Sequence, residues 1–114
     1  LSPDEVVARI RQDIDQNYPQ PLKVSSYAKK YFFTQEYLTR LFRQHYEMTI
    51  QEYLLMVRMT RAKELLENPS IKIQEVAARV GYSDNNYFSK AFRNFFGITP
   101  TDCRNKCFVS RNTK

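Results

Sequence analysis

The 114-residue chain carries 18 Lys and Arg against 12 Asp and Glu, a net charge of +6, with 42% hydrophobic residues and only two glycines. Its length suits one ordinary domain or two small lobes, and its composition is globular, not disordered. No apolar run approaches about 18 residues, which excludes a membrane-spanning helix, and no alternating runs bounded by turn pairs point to a β-rich fold.

The predicted elements follow in chain order. Ser2-Pro3-Asp4-Glu5 is a helix start, with a capping serine, a first-turn proline and acids at the positive end of the dipole. Val6, Val7, Ile10 and Ile14 give a narrow apolar stripe as far as about Asn17, and Tyr18-Pro19-Gln20-Pro21 breaks it. Val24 to Tyr31 reads as a short helix. Thr34 caps the next, Gln35 to about Tyr46, with Leu38, Leu41 and Phe42 inward. Thr49 caps a long helix from Ile50 to Glu67, with Tyr53, Leu54, Val57, Ala62, Leu65 and Leu66 as core candidates. Ile73 to Val80 is short and ends at Gly81. Asp84 or Ser83 caps Asn85 to Phe96, which Gly97 ends. Its apolar face is Phe88, Ala91, Phe92 and Phe95. Pro100 opens a last helix to about Lys106, followed by a basic, frayed tail over residues 107–114. The expectation is all-α: seven helices with short connections.

The charge is uneven. Residues 1–17 hold Asp4, Glu5, Asp13 and Asp15 against Arg9 and Arg11, and the remainder carries +8. A basic body favours polyanionic partners. Cys103 and Cys107, four apart, lack the further ligands that a zinc site needs, and both read as reduced thiols of a cytoplasmic protein. His45 is the single histidine. With no glycine-rich loop and no clustered acids, the chain reads as a non-enzyme that needs no metal or cofactor. No signal peptide is visible, and the missing initial methionine points to a longer parent chain.

Residues 22–49 and 71–99 repeat each other. Leu22-Lys23-Val24 matches Ile71-Lys72-Ile73 at an offset of 49, and Ala28 matches Ala77. After the turn the offset is 50: Leu38 matches Phe88, Phe42 matches Phe92, Arg43 matches Arg93 and Thr49 matches Thr99. Each copy is a short helix, a tight turn and a longer helix, the helix-turn-helix outline. The polar faces repeat as well: Gln35, Glu36, Thr39 and Arg40 align with Asn85, Asn86, Ser89 and Lys90. Core packing does not account for that match, because these positions point away from the core.

The stretch "IQEVAARVGYSDNNYFSKAFRNFFGITP" (Ile73–Pro100) resembles the signature of the AraC/XylS family of bacterial transcription regulators: I-x-x-I-A, G-F/Y-x-[DS], Y-F-x-[RK]-x-F-[KR], then G-x-[TS]-P. Tyr37–Leu66 resembles the family's less regular upstream half. The resemblance implies two helix-turn-helix lobes joined by one long helix, and two recognition helices entering the major groove of one duplex. The implied layout is a leading helix and entry loop (1–21), a first helix-turn-helix (22–49), a linker helix (50–67), and a second helix-turn-helix with the final helix (68–106). A linker of about 17 residues spans roughly 25 Å, against about 34 Å between successive grooves on one face. The leading helix looks most like that of response-regulator members, in which a receiver domain comes first.

Departures from the family pattern carry expectations of their own. Glu47 replaces a common glycine, and if its φ is positive the strain is roughly 1 kcal/mol. The first recognition helix would then end differently from the second. Phe32 stands where the second copy has Gly81. Cys103 replaces a bulkier residue, which implies a loosely anchored final helix. Lys23 and Lys72 replace the Ser or Thr that often caps the short helices.

The polar faces supply the candidate site. Arg40 offers a guanidinium fork for guanine O6 and N7, and Lys90 is its less directional counterpart. Asn85 and Asn86 suit adenine, Thr39 offers a methyl for thymine, Ser89 is adaptable, Glu36 accepts from cytosine N4, and Gln35 reaches base or backbone. Lys23, Arg43, Lys72, Arg93 and Asn94 are the phosphate-contacting candidates. The expected partners are double-stranded DNA, RNA polymerase and a preceding sensor or receiver domain, with no membrane. The competing reading is a helical protein-interaction module without sequence-specific DNA binding. RNA binding lacks the exposed aromatics it usually requires.

Overall fold

The computed structural model describes the backbone of residues 1–112 and the side chains of residues 1–106. They form α1 (Pro3–Asn17), α2 (Val24–Tyr31), α3 (Gln35–Tyr46), α4 (Ile50–Leu66), α5 (Ile73–Arg79), α6 (Asn85–Phe96) and α7 (Pro100–Asn112), with no strand among the described residues. The chain divides into two compact units, Leu1–Val57 and the residues from Arg58 onward.

In unit 1, α1 and α2 both pack on α3. Val6, Val7, Ile10 and Ile14 of α1 join Tyr27, Ala28, Leu38, Leu41, Phe42, Ile50 and Tyr53 in one buried cluster. The expected stripe of α1 is therefore core. Polar contacts fix it further. Tyr27 donates to Asp13 Oδ2 at 2.6 Å and Tyr53 to Asp15 Oδ1 at 2.6 Å. The Arg11 guanidinium lies 4.9 Å from the Tyr46 ring centroid and 5.7 Å from that of Tyr53.

In unit 2, α5 and α7 both pack on α6. Its buried residues are Met59, Ala62, Leu66, Ile71, Val76, Ala77, Val80, Phe88, Phe92 and Cys103. The early turns of α4 contribute Ile50 and Tyr53 to unit 1 and the later turns contribute to unit 2, so no single apolar stripe runs its length. Leu54, Val57 and Leu65, expected inside, are only partly buried. Thr49 and Glu52 open α4 with a reciprocal pair of bonds, Glu52 N–H to Thr49 Oγ1 at 3.1 Å and Thr49 N–H to Glu52 Oε1 at 2.9 Å.

Other expectations need correction too, beginning with α4, which ends at Leu66, one residue before the expected Glu67. Phe95 is 41% exposed although it lies on the apolar arc of α6, because it falls in the last turn of the helix, with its ring edge-on to Phe96. Helix α5 stops at Arg79, one residue early, as the chain turns into Gly81 at φ 105°. Helix α7 continues to Asn112, because no proline or glycine follows Pro100 to stop it. Residues 113–114 of the expected tail, and the Cys107 side chain, lie outside what is described. Finally, α7 is firmly anchored. Arg104 donates to the carbonyls of Leu66 (3.0 Å), Asn68 (3.2 Å) and Ile71 (2.6 Å), which ties α7 to the end of α4 and the loop after it. No described helix is long and apolar enough to cross a membrane.

Candidate nucleic-acid interface

The two helix-turn-helix segments are built alike to the level of single hydrogen bonds. Each turn closes with the same backbone bond: Phe33 N–H to Ala28 O at 3.0 Å, and Tyr82 N–H to Ala77 O at 2.9 Å. Each longer helix then ends on a left-handed residue, Glu47 donating to Arg43 O at 2.8 Å and Gly97 to Arg93 O at 2.7 Å. The expected difference at Glu47 does not occur. The residue accepts φ 60° and the helix terminates as its glycine-capped counterpart does. Phe32 likewise takes φ 61° in the place of Gly81, with its ring 93% exposed.

Helix α3 starts at Thr34, whose Oγ1 accepts from Tyr37 N–H at 3.1 Å. Helix α6 starts at Asp84, not Ser83: Asp84 Oδ1 accepts from Asn86 N–H at 2.9 Å and Tyr87 N–H at 3.4 Å. Both caps fix the first turn, where the candidate readers sit. Gln35, Glu36, Thr39, Arg40 and Arg43 line one shallow concavity of about 510 Å³ on α3. All are exposed except Thr39, which is partly buried. The Arg40 guanidinium lies 5.6 Å from the Tyr37 ring centroid, a contact that orders the fork without covering it. On α6, Asn85, Asn86, Lys90, Arg93 and Asn94 are exposed and Ser89 is partly buried, which reproduces the α3 pattern. The structure thus brings the base-facing candidates together in two sets, one per helix, and leaves none in a core.

The phosphate candidates divide in two. Lys23 and Lys72 occupy the N-cap positions of α2 and α5, and no side-chain oxygen caps either helix. The first-turn N–H groups and an exposed ammonium therefore sit together at each start. Arg43 and Arg93 lie one turn beyond the base-facing residues. Arg43 approaches Glu52 at 3.9 Å, an exposed pair too long and too wet to hold it. Glu52 is bound by Thr49 instead. The backbone bond from Thr49 holds its carboxyl below the ordinary value, and Arg43 adds less.

One kind of residue escaped the sequence reading. Tyr37 and Tyr87 match at the offset of 50 and each follows a polar residue of the reading face. The apolar face expected of α6 was Phe88, Ala91, Phe92 and Phe95, and neither tyrosine was assigned a role. Phe88 and Phe92 are buried, but Tyr87 is 66% exposed. Among the described residues no group of three or more His, Cys, Asp or Glu is placed to hold a metal ion.

Residues 27–106 match the helix-turn-helix domain family. The chain is 42% identical over 98 residues to the Msm operon regulatory protein of Streptococcus mutans, covering 86% of this chain and 35% of that protein. It thus spans about a third of the curated relative's length. Among solved structures, the C-terminal domain of AraT, a response regulator from Geobacillus stearothermophilus, is 34% identical with a TM-score of 0.83, covering 89% of this chain and 84% of that one. The DNA-binding domain of AdpA, solved in complex with a target DNA, is 21% identical with a TM-score of 0.85, covering 95% and 97%, and shares the fold.

Proposed function

The chain belongs to the AraC/XylS family of helix-turn-helix transcription regulators, and on that premise we propose that α3 and α6 read base sequence in successive major grooves of one duplex. Its described part is an AraC-type DNA-binding domain. The observation that carries the finer reading is the repetition of solvent-facing residues, with the same exposure pattern, on two separately capped helices. A solvated face has no reason to repeat in this way.

In this reading Arg40 pairs with guanine, and Lys90 supplies the matching cation in the second groove. Asn85 and Asn86 address adenine edges, while Gln35, Glu36, Thr39 and Ser89 tune the neighbouring positions. Lys23, Arg43, Lys72, Arg93 and Asn94 hold phosphates and set register without reading sequence. Residues 22–49 and 68–106 act as the two reading modules, with 50–67 as their linker. In the full-length protein, a sensor or receiver domain would precede this domain and control it. The whole would activate transcription in the bacterial cytoplasm through RNA polymerase.

The test is affinity for a selected duplex over a range of salt. Arg40→Ala and Lys90→Ala should each weaken binding by about 1–3 kcal/mol and relax preference at one position. Arg43→Ala should weaken all sequences alike and reduce the salt slope by about one. Binding that ignores both salt and sequence would instead favour a protein-interaction module.

A further inference from the structure

Tyr87 is 66% exposed, yet it is held in place. Its ring lies 5.9 Å from that of Tyr82, which in turn packs 5.6 Å from Phe88 and lies under the Arg58 guanidinium at 5.5 Å. Its own N–H is bonded to Asp84, so backbone and ring are both ordered before any ligand arrives. On the helical wheel Tyr87 falls about 60° from Lys90 and about 100° from Asn86, on the same exposed arc. The matched Tyr37 is ordered in a similar way, 5.2 Å from Phe33 and under Arg40. An ordered ring is a contact surface that loses little entropy on binding.

Asn86 and Lys90 present only polar ends, whereas Tyr87 adds the apolar face of its ring behind a hydroxyl tip. The apolar feature on the major-groove edges of bases is the thymine 5-methyl group. We propose that Tyr87 is a further specificity-determining residue, its ring packing on the 5-methyl of a thymine in the groove that α6 enters. This rests on reading α6 as a recognition helix.

The experiment uses the 114-residue chain and its selected duplex. Each thymine in the α6 half is replaced singly by uracil, which removes only the methyl. One replacement should weaken wild-type binding roughly fourfold, the value of one buried methyl. Tyr87→Gln should lose a similar factor on the thymine duplex and show no further response to uracil. Tyr87→Phe should keep the wild-type response. With 5-iodouracil at the responsive position, irradiation should give an adduct on the peptide that carries Tyr87.

No response to any uracil, or a Tyr87→Gln protein as responsive as wild type, would overturn the proposal. If Tyr87→Gln fails to fold, the photo-adduct decides: on Tyr87 it supports the contact, and elsewhere or absent it overturns it. A wild-type chain that enriches no duplex at all would remove the recognition-helix reading itself, and this proposal with it.

Discussion

Phe32 and Glu47 carry the strain of unit 1. Their φ values of 61° and 60° fall in the left-handed region, where a Cβ crowds the following carbonyl. Gly81 and Gly97 occupy the matched sites in unit 2. Glu47→Gly should therefore stabilise unit 1 by roughly 0.5–1 kcal/mol, read as a higher urea midpoint with unchanged slope. Gly97→Ala should destabilise unit 2 by about 1 kcal/mol, through φ alone, since its Cβ would meet nothing within 4 Å. The strain at Glu47 was legible in the sequence because the family pattern carries a glycine at that place. The outcome at the helix end was not, because a backbone bond from Glu47 to Arg43 decides it. A second residue-scale prediction concerns alkali. Burial, and then the bond to Asp13, raise the Tyr27 hydroxyl well above its ordinary value of 10.0. The folded state thus keeps a proton that the unfolded chain releases. That contribution is fully present below the ordinary value and is lost as pH rises through the folded one. Tyr53 is raised too, by burial first. Unit 1 should weaken above about pH 10, and Tyr27→Phe should flatten that loss in unfolding curves taken at stepped pH.

At the scale of elements, each recognition helix is held between two others: α3 between α1 and α2, α6 between α5 and α7. Helix α1 is thus part of what positions α3. Ile10 is fully buried, and Ile10→Ala should cost about 2–5 kcal/mol in unit 1. Footprints of that variant should lose protection in the α3 block at temperatures where the α6 block persists. Helix α7 depends on Arg104. Arg104→Met removes three bonds to carbonyls, and should destabilise unit 2 by roughly 2 kcal/mol in chemical denaturation. Helix starts and stops were legible because Ser2, Thr34, Thr49, Asp84 and Gly97 are local signals. The anchoring of α7 was not, since Arg104 reaches residues 33 to 38 positions away. Tyr87 was missed for a related reason: helical spacing marks an edge position poorly, and exposure there is set by neighbours such as Tyr82.

For the whole molecule, the central feature is duplication. Two units present matched polar faces on a chain of net charge +6, and the family to which it belongs binds DNA in transcription control. Duplication made the candidate site legible without any fold in hand, because the core and the reading face repeat for different physical reasons. Loss of affinity with salt should be steep, since the four cationic phosphate-facing candidates, Lys23, Arg43, Lys72 and Arg93, would each release counterions. The most direct test is selection from a random duplex pool at about 150 mM salt, followed by footprinting of the enriched sequence. Two reading units predict two protected blocks about 10 base pairs apart on one face. A single protected block, or none at any salt, would contradict the account.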